Sequence, residues 1–167
     1  MKNLILLLFA ITLFSCSSDS KDETEPIAED NFIRAADMSY LPLIESEGTV
    51  YKNNNISENA LTTLKNAGCN TIRVRLWKNP INAHSGFNEV KTFAQRIKQA
   101  GMKVWLTVHY SDTWADPANQ EKPADWASLN FINLKTEVAN YTTQIMTEIN
   151  PDIIQIGNET NDGMLWP

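Results

Sequence analysis

The sequence predicts an α/β fold built on a parallel sheet. Three observations predict it. Short apolar, β-branched segments alternate with longer stretches whose apolar residues recur at helical spacing. Glycine or proline closes the helical stretches. The connections are long enough for helical crossovers, which gives right-handed βαβ units.

The elements follow in order. Residues 32–36 read as a short first strand ending at Asp37. Residues 56–67 read as a helix with Ile56, Ala60, Leu61 and Leu64 on one face, Ser57 as N-cap and Gly68 as stop. Residues 71–76 form a β-branched second strand. Val90, Phe93, Ala94 and Ile97 recur at i, i+3, i+4 and i+7, a helical stripe closed by Gly101. Residues 103–108 form the third strand. Leu134, Val138, Tyr141, Ile145 and Ile149 mark a longer helix closed by Pro151, and residues 153–157 form the fourth strand.

The 167 residues provide for about one domain. A complete β/α barrel needs roughly 250. The apolar content of 43% is ordinary for a globular protein. A mean hydropathy of -0.31 excludes a polytopic membrane protein. The net charge of -6 argues against a nucleic-acid partner, which favours basic stripes. No glycine-rich phosphate loop follows any strand, so no nucleotide cofactor is expected. No Cys/His cluster has metal-ligand spacing, so no metal site is expected either.

The N-terminus reads as a targeting segment. Lys2 supplies the positive start, and residues 4–14 form an apolar run too short to span a bilayer but right for a signal-peptide core. Leu13-Phe14-Ser15-Cys16 resembles a bacterial lipoprotein box, with residues 1–15 removed and Cys16 acylated. A plain secretory signal with an incidental cysteine is the alternative. Two or more acyl chains give stable membrane residence. Residues 16–31 form a polar, acidic tether with too few apolar groups to order. Its Ser-Asp-Ser-Lys-Asp-Glu stretch looks like an export signal of bacterial surface lipoproteins, or is a simple solvated linker. The expected location is therefore the bacterial outer membrane or cell surface. Cys69 precedes an apolar strand and reads as a buried structural thiol.

Side chains alternate along a strand. In the second strand Ile72, Val74 and Leu76 share one face, and Arg73, Arg75 and Trp77 the other. Apolar residues suit the helix-covered face, so the arginines point inward, where they need partners. Arg73 is divided between a structural ion pair and a site role; Arg75, nearer the C-terminal end, favours the site. In the third strand Trp105, Thr107 and His109 face inward, which brings His109 out at the rim. It heads a polar, aromatic loop in which Trp114 offers either a sugar-stacking face or packing. The fourth strand delivers Asn158 and Glu159. Strict alternation puts these two on opposite faces; a bend after Gly157 would let both serve one site.

Asp37, Arg75, His109, Asn158 and Glu159 thus gather at C-terminal strand ends, where a β/α barrel places catalytic groups. The matching segments are Arg34-Ala35-Ala36-Asp37-Met38-Ser39, Thr71-Ile72-Arg73-Val74-Arg75-Leu76-Trp77, His109-Tyr110-Ser111-Asp112-Thr113-Trp114-Ala115-Asp116-Pro117 and Gln155-Ile156-Gly157-Asn158-Glu159-Thr160-Asn161-Asp162-Gly163-Met164-Leu165-Trp166-Pro167. Together they resemble glycoside hydrolase family 53, the arabinogalactan endo-β-1,4-galactanases. The resemblance covers residues 32–167, the N-terminal half of such an enzyme.

The resemblance implies a (β/α)8 TIM barrel of which this chain carries the first four βα units. It implies cleavage of internal β-1,4-galactosidic bonds in galactan or arabinogalactan with retention. Glu159 then matches the general acid/base, Asn158 the residue that hydrogen-bonds the sugar at the scissile bond, and Arg75 the arginine beside the nucleophile. Asp37, His109 and Trp114 match substrate-cleft positions. A retaining enzyme needs a second carboxylate about 5 Å from the first. The family's nucleophile belongs to the seventh strand, outside this chain, as does its calcium site where one is present. The chain alone is therefore expected to be inactive. A non-catalytic, surface glycan-binding lipoprotein is the alternative.

Overall fold

The computed structural model describes residues 32–166. The expected signal segment, lipidated Cys16 and acidic tether lie outside the described residues. In chain order the elements are β1 (Ala35–Asp37), α1 (Leu41–Ser46), β2 (Lys52–Asn53), β3 (Ile56–Ser57), α2 (Ala60–Asn66), β4 (Thr71–Leu76), α3 (Phe87–Gln99), β5 (Lys103–Val108), a 3-10 turn at Ala124–Trp126, α4 (Phe131–Glu148) and β6 (Ile153–Ile156).

The sheet has the order β1-β4-β5-β6, and every neighbouring pair is parallel. Register aligns Asp37 with Arg73, Arg75 with Thr107, and Thr107 with Gln155. Ile72, Val74, Leu76, Val104, Leu106 and Val108 form the fully buried outer face. Val90, Phe93, Ala94 and Ile97 of α3 cover it, joined by Tyr141 and Ile145 of α4. Each of the Val, Leu, Ile and Phe side chains among these contributes roughly 1.5–3 kcal/mol by leaving water.

Three local expectations are corrected. Residues 56–67 do not form one helix. Ile56 is 72% exposed and belongs to a two-stranded hairpin in which Ser57 pairs with Lys52. Asn54 and Asn55 turn that hairpin at φ 50° and 65°, a left-handed pair that asparagine tolerates. The helix starts at Ala60, where the Asn59 side chain accepts a 2.9 Å bond from the Leu61 amide. The first strand begins at Ala35, because Phe32 stands 70% exposed outside the sheet. Cys69 is half-buried rather than buried; its Sγ lies 3.2 Å from the carbonyls of Arg34 and Thr71.

Among the described residues β1 and β6 each pair on one side only. Beside the open edge of β6, a groove of about 340 Å³ runs between Phe131, Leu134 and Val138 of α4 and Ile156, Met164 and Leu165. Leu134 and Val138 are consequently only half-buried, unlike Tyr141 and Ile145 on the same stripe. No helix among the described residues is long and apolar enough to cross a membrane.

Candidate active site

Alternation along β4 sets the site. With Ile72, Val74 and Leu76 outward, Arg73 and Arg75 project to the inner side. Arg75 is 4% exposed. Its guanidinium lies over three rings, 4.4 Å from the centroids of Tyr40 and Trp114 and 4.6 Å from that of Trp77. Its Nε donates to Ser85 Oγ at 3.0 Å. Ser85 sits at φ 60°, with its amide donating to Glu89 Oε2 at 2.7 Å. No carboxylate pairs with Arg75 among the described residues.

Arg73 takes the ion-pair role. Its Nη1 donates to Asp37 Oδ2 at 2.6 Å and its Nη2 to Asn158 Oδ1 at 3.1 Å. Burial alone would raise the Asp37 carboxyl. Hydrogen bonds from the Ser39 side chain and backbone, and then Arg73, outweigh it and hold the pKa below the usual range.

His109 follows β5 and is 3% exposed. Its Nδ1 accepts from the Ala115 amide at 2.9 Å, which places the proton of the neutral ring on Nε2. Burial first, and then the Arg75 and Arg73 cations, push its pKa down from 6.5 to about 4; Asp37 pulls weakly the other way. At neutral pH His109 is therefore an uncharged donor. The edges of Trp77 and Trp114 hold the ring.

The bend after β6 is present. Gly157 has φ 80° and Glu159 has φ 50°, so the two-residue alternation breaks at this point. A Cβ on Gly157 would meet Thr160 Cγ2 at 2.5 Å, which leaves glycine as the residue that fits. Asn158, 6% exposed, donates from Nδ2 to the Ala115 carbonyl at 2.8 Å. Glu159 is exposed. Both line one cavity.

That cavity, of about 270 Å³, is lined by Asp37, Tyr40, Arg73, Arg75, His109, Trp114, Asn158 and Glu159. The structure thus brings all six sequence-derived site residues together. It adds Tyr40, three positions beyond Asp37, which an aromatic at a strand end could have flagged. It also adds Ser85 and Gln120, which carry no sequence signal because they act through hydrogen bonds that only the folded chain brings together. Among the described residues no group of His, Cys, Asp or Glu has the arrangement to hold a metal. The chemistry on hand is a solvent-reachable carboxylate, a neutral imidazole donor, an amide, a buried cation and two half-exposed aromatic rings.

The model of Glycosyl hydrolase family 53 matches residues 33–167. The chain belongs to glycosyl hydrolase family 53. It is 41% identical over 140 residues to the Aspergillus terreus "Probable arabinogalactan endo-beta-1,4-galactanase A", covering 80% of this chain and 40% of that one. It is 40% identical to the Thermothelomyces thermophilus "Arabinogalactan endo-beta-1,4-galactanase", covering 80% and 42%. The solved family 53 catalytic domain of Ignisphaera aggregans superposes with a TM-score of 0.76 at 39% identity, over 81% of this chain and 42% of that one. This chain therefore spans about two-fifths of the length of the curated relatives it matches. Its fold is that of the family: the four parallel strands and the helices that connect them form part of a (β/α)8 TIM barrel.

Proposed function

We propose that this chain is the N-terminal part of an endo-acting glycosidase that cleaves β-1,4-galactosidic bonds in galactan or arabinogalactan with retention of configuration. The observation that carries it is a shared cavity at the C-terminal strand ends, in which Glu159 shares a wall with Arg75, His109 and Asn158. Glu159 protonates the departing oxygen and then takes a proton from the attacking water. Asn158 and His109 orient sugar hydroxyls, and Asn158 is itself aimed by Arg73 and Ala115. Trp114 and Tyr40, 45% and 49% exposed, offer flat faces to sugar rings. Arg75, buried without a carboxylate partner among the described residues, is matched to an anion supplied from outside them, the ionised nucleophile.

Asp37, the cavity's other carboxylate, already accepts from Arg73 and the Ser39 amide. The 167-residue chain alone is therefore expected to release no reducing ends from galactan. The test compares this chain with the complete polypeptide that carries it, each as wild type and as Glu159→Gln. Cleavage by the complete wild type only, abolished by the substitution, supports the reading. Galactan cleavage by the short chain would refute its inactivity. Galactan binding without cleavage by the complete protein would assign it to glycan capture instead.

Lipidation of Cys16, membrane anchoring and display at the cell surface belong to the same proposal and rest on the sequence signal. Labelling with a fatty-acid analogue, lost in Cys16→Ser, is the expected result; equal labelling of both would refute it.

A further inference from the structure

Glu159 makes no side-chain hydrogen bond among the described residues, although it is the carboxylate on which the proposed reaction turns. Its direction is therefore set by its backbone, which sits in the left-handed region at φ 50°. Something must hold that backbone. The Glu159 carbonyl accepts from the Asn161 amide at 2.8 Å and from Gln120 Nε2 at 3.2 Å. The Asn158 carbonyl accepts from Gln120 Nε2 at 2.8 Å, its one partner among the described residues.

Gln120 is 2% exposed and reaches this turn from the loop after β5. The same Nε2 faces the Asp116 carbonyl at 3.1 Å, and the Gln120 main-chain carbonyl accepts from the Trp166 amide at 2.7 Å. One residue thus fastens both ends of the segment that carries Glu159 to a neighbouring loop. We infer that Gln120 is the positioning residue for Glu159, acting through the backbone carbonyls of residues 158 and 159 and not on substrate. The inference rests on the acid/base reading of Glu159. Its physical content is simple. A buried amide donor shared by adjacent carbonyls fixes the peptide planes on either side of a strained residue, and hence the direction of its Cα–Cβ bond.

The test uses the complete polypeptide with two substrates. Galactan needs its leaving group protonated; a dinitrophenyl β-galactobioside does not. Gln120→Met keeps the volume and removes the donor; Gln120→Asn keeps the donor on a shorter stem. For Gln120→Met, kcat/KM on galactan is expected to fall about 10–100-fold while that on the activated glycoside changes less than about threefold. Gln120→Asn is expected to fall between Gln120→Met and wild type. Equal losses on both substrates, or none, would overturn the inference. So would loss of the folded near-ultraviolet circular dichroism signal in both variants, which would assign Gln120 to the core. A wild type that cleaves neither substrate sinks the acid/base reading itself, a result separate from any behaviour of the variants.

Discussion

Arg73 and Asn158, 85 positions apart in sequence, are joined by a 3.1 Å hydrogen bond from Nη2 to Oδ1. The other arm of the same guanidinium holds Asp37. One planar fork therefore ties the end of β1, the middle of β4 and the turn after β6. Amide orientation at Asn158 is fixed as a result: its oxygen faces the arginine and its nitrogen the Ala115 carbonyl.

Arg73→Lys keeps the charge but cannot span both partners. Because the side chains of Arg73 and Asp37 are 29% and 45% exposed, the stability loss is expected to stay near about 1 kcal/mol. The functional loss is expected to be larger, about tenfold in kcat/KM of the proposed complete enzyme, because Asn158 loses one of the two side-chain contacts that fix its amide. Urea unfolding and galactan kinetics read the two effects. A stability loss well above the kinetic one would refute the orienting role.

His109 makes stability depend on pH. Its folded pKa of about 4 lies below the ordinary 6.5, so the unfolded chain binds the proton first as pH falls. The contribution of His109 is full above pH 6.5, declines between 6.5 and 4, and is lost below. The decline amounts to about 3 kcal/mol. Urea midpoints across this range should fall less in His109→Gln than in wild type. A nuclear magnetic resonance titration of the His109 ring centred near 6.5 would disprove the account.

Gly157→Ala meets two obstacles, the left-handed φ and the Thr160 methyl. The expected cost is about 2 kcal/mol or more, of which 1–2 kcal/mol is the roughly known backbone strain. Thr160→Ser removes the methyl but not the strain, so the double variant should recover part of the loss and not all. Full recovery, or no loss in Gly157→Ala, would contradict this.

Arg75→Met tests the buried cation. The guanidinium is desolvated among rings, with Ser85 as its hydrogen-bonding partner and no counter-charge among the described residues. Replacing it by an apolar chain of similar reach is expected to leave stability unchanged or raise it by up to about 1 kcal/mol. Galactan cleavage by the complete enzyme should nonetheless collapse. Thermal unfolding decides: a loss of more than about 2 kcal/mol would show that the ring contacts outweigh desolvation.

The legible parts of the fold are those with long periodic signals. β4, β5, α3 and α4 declare themselves because each carries several buried residues at a fixed spacing. The hairpin was hidden because Ile56 completes a helical stripe with Ala60 and Leu64, although the two adjacent asparagines favour a turn. α1 was hidden because six residues starting Leu41-Pro42 are too few to show a period. In the site, strand alternation located Arg75 and His109, but it stopped at Gly157, where only backbone geometry shows both Asn158 and Glu159 in the cavity. Ser85 and Gln120 were beyond sequence reasoning, since what matters is the particular polar atoms the fold brings to them.

The inward arginines of β4 also bear on how the chain finds its fold. A slip of one residue between β4 and β5 would swing Arg73 and Arg75 to the helix-covered face and turn Ile72, Val74 and Leu76 toward the cavity. Two guanidinium groups would then lie against the apolar side chains of Val90, Phe93 and Ile97. The charges that serve the cavity thereby act as proofreaders of strand pairing, rejecting the misaligned sheet before any substrate is met.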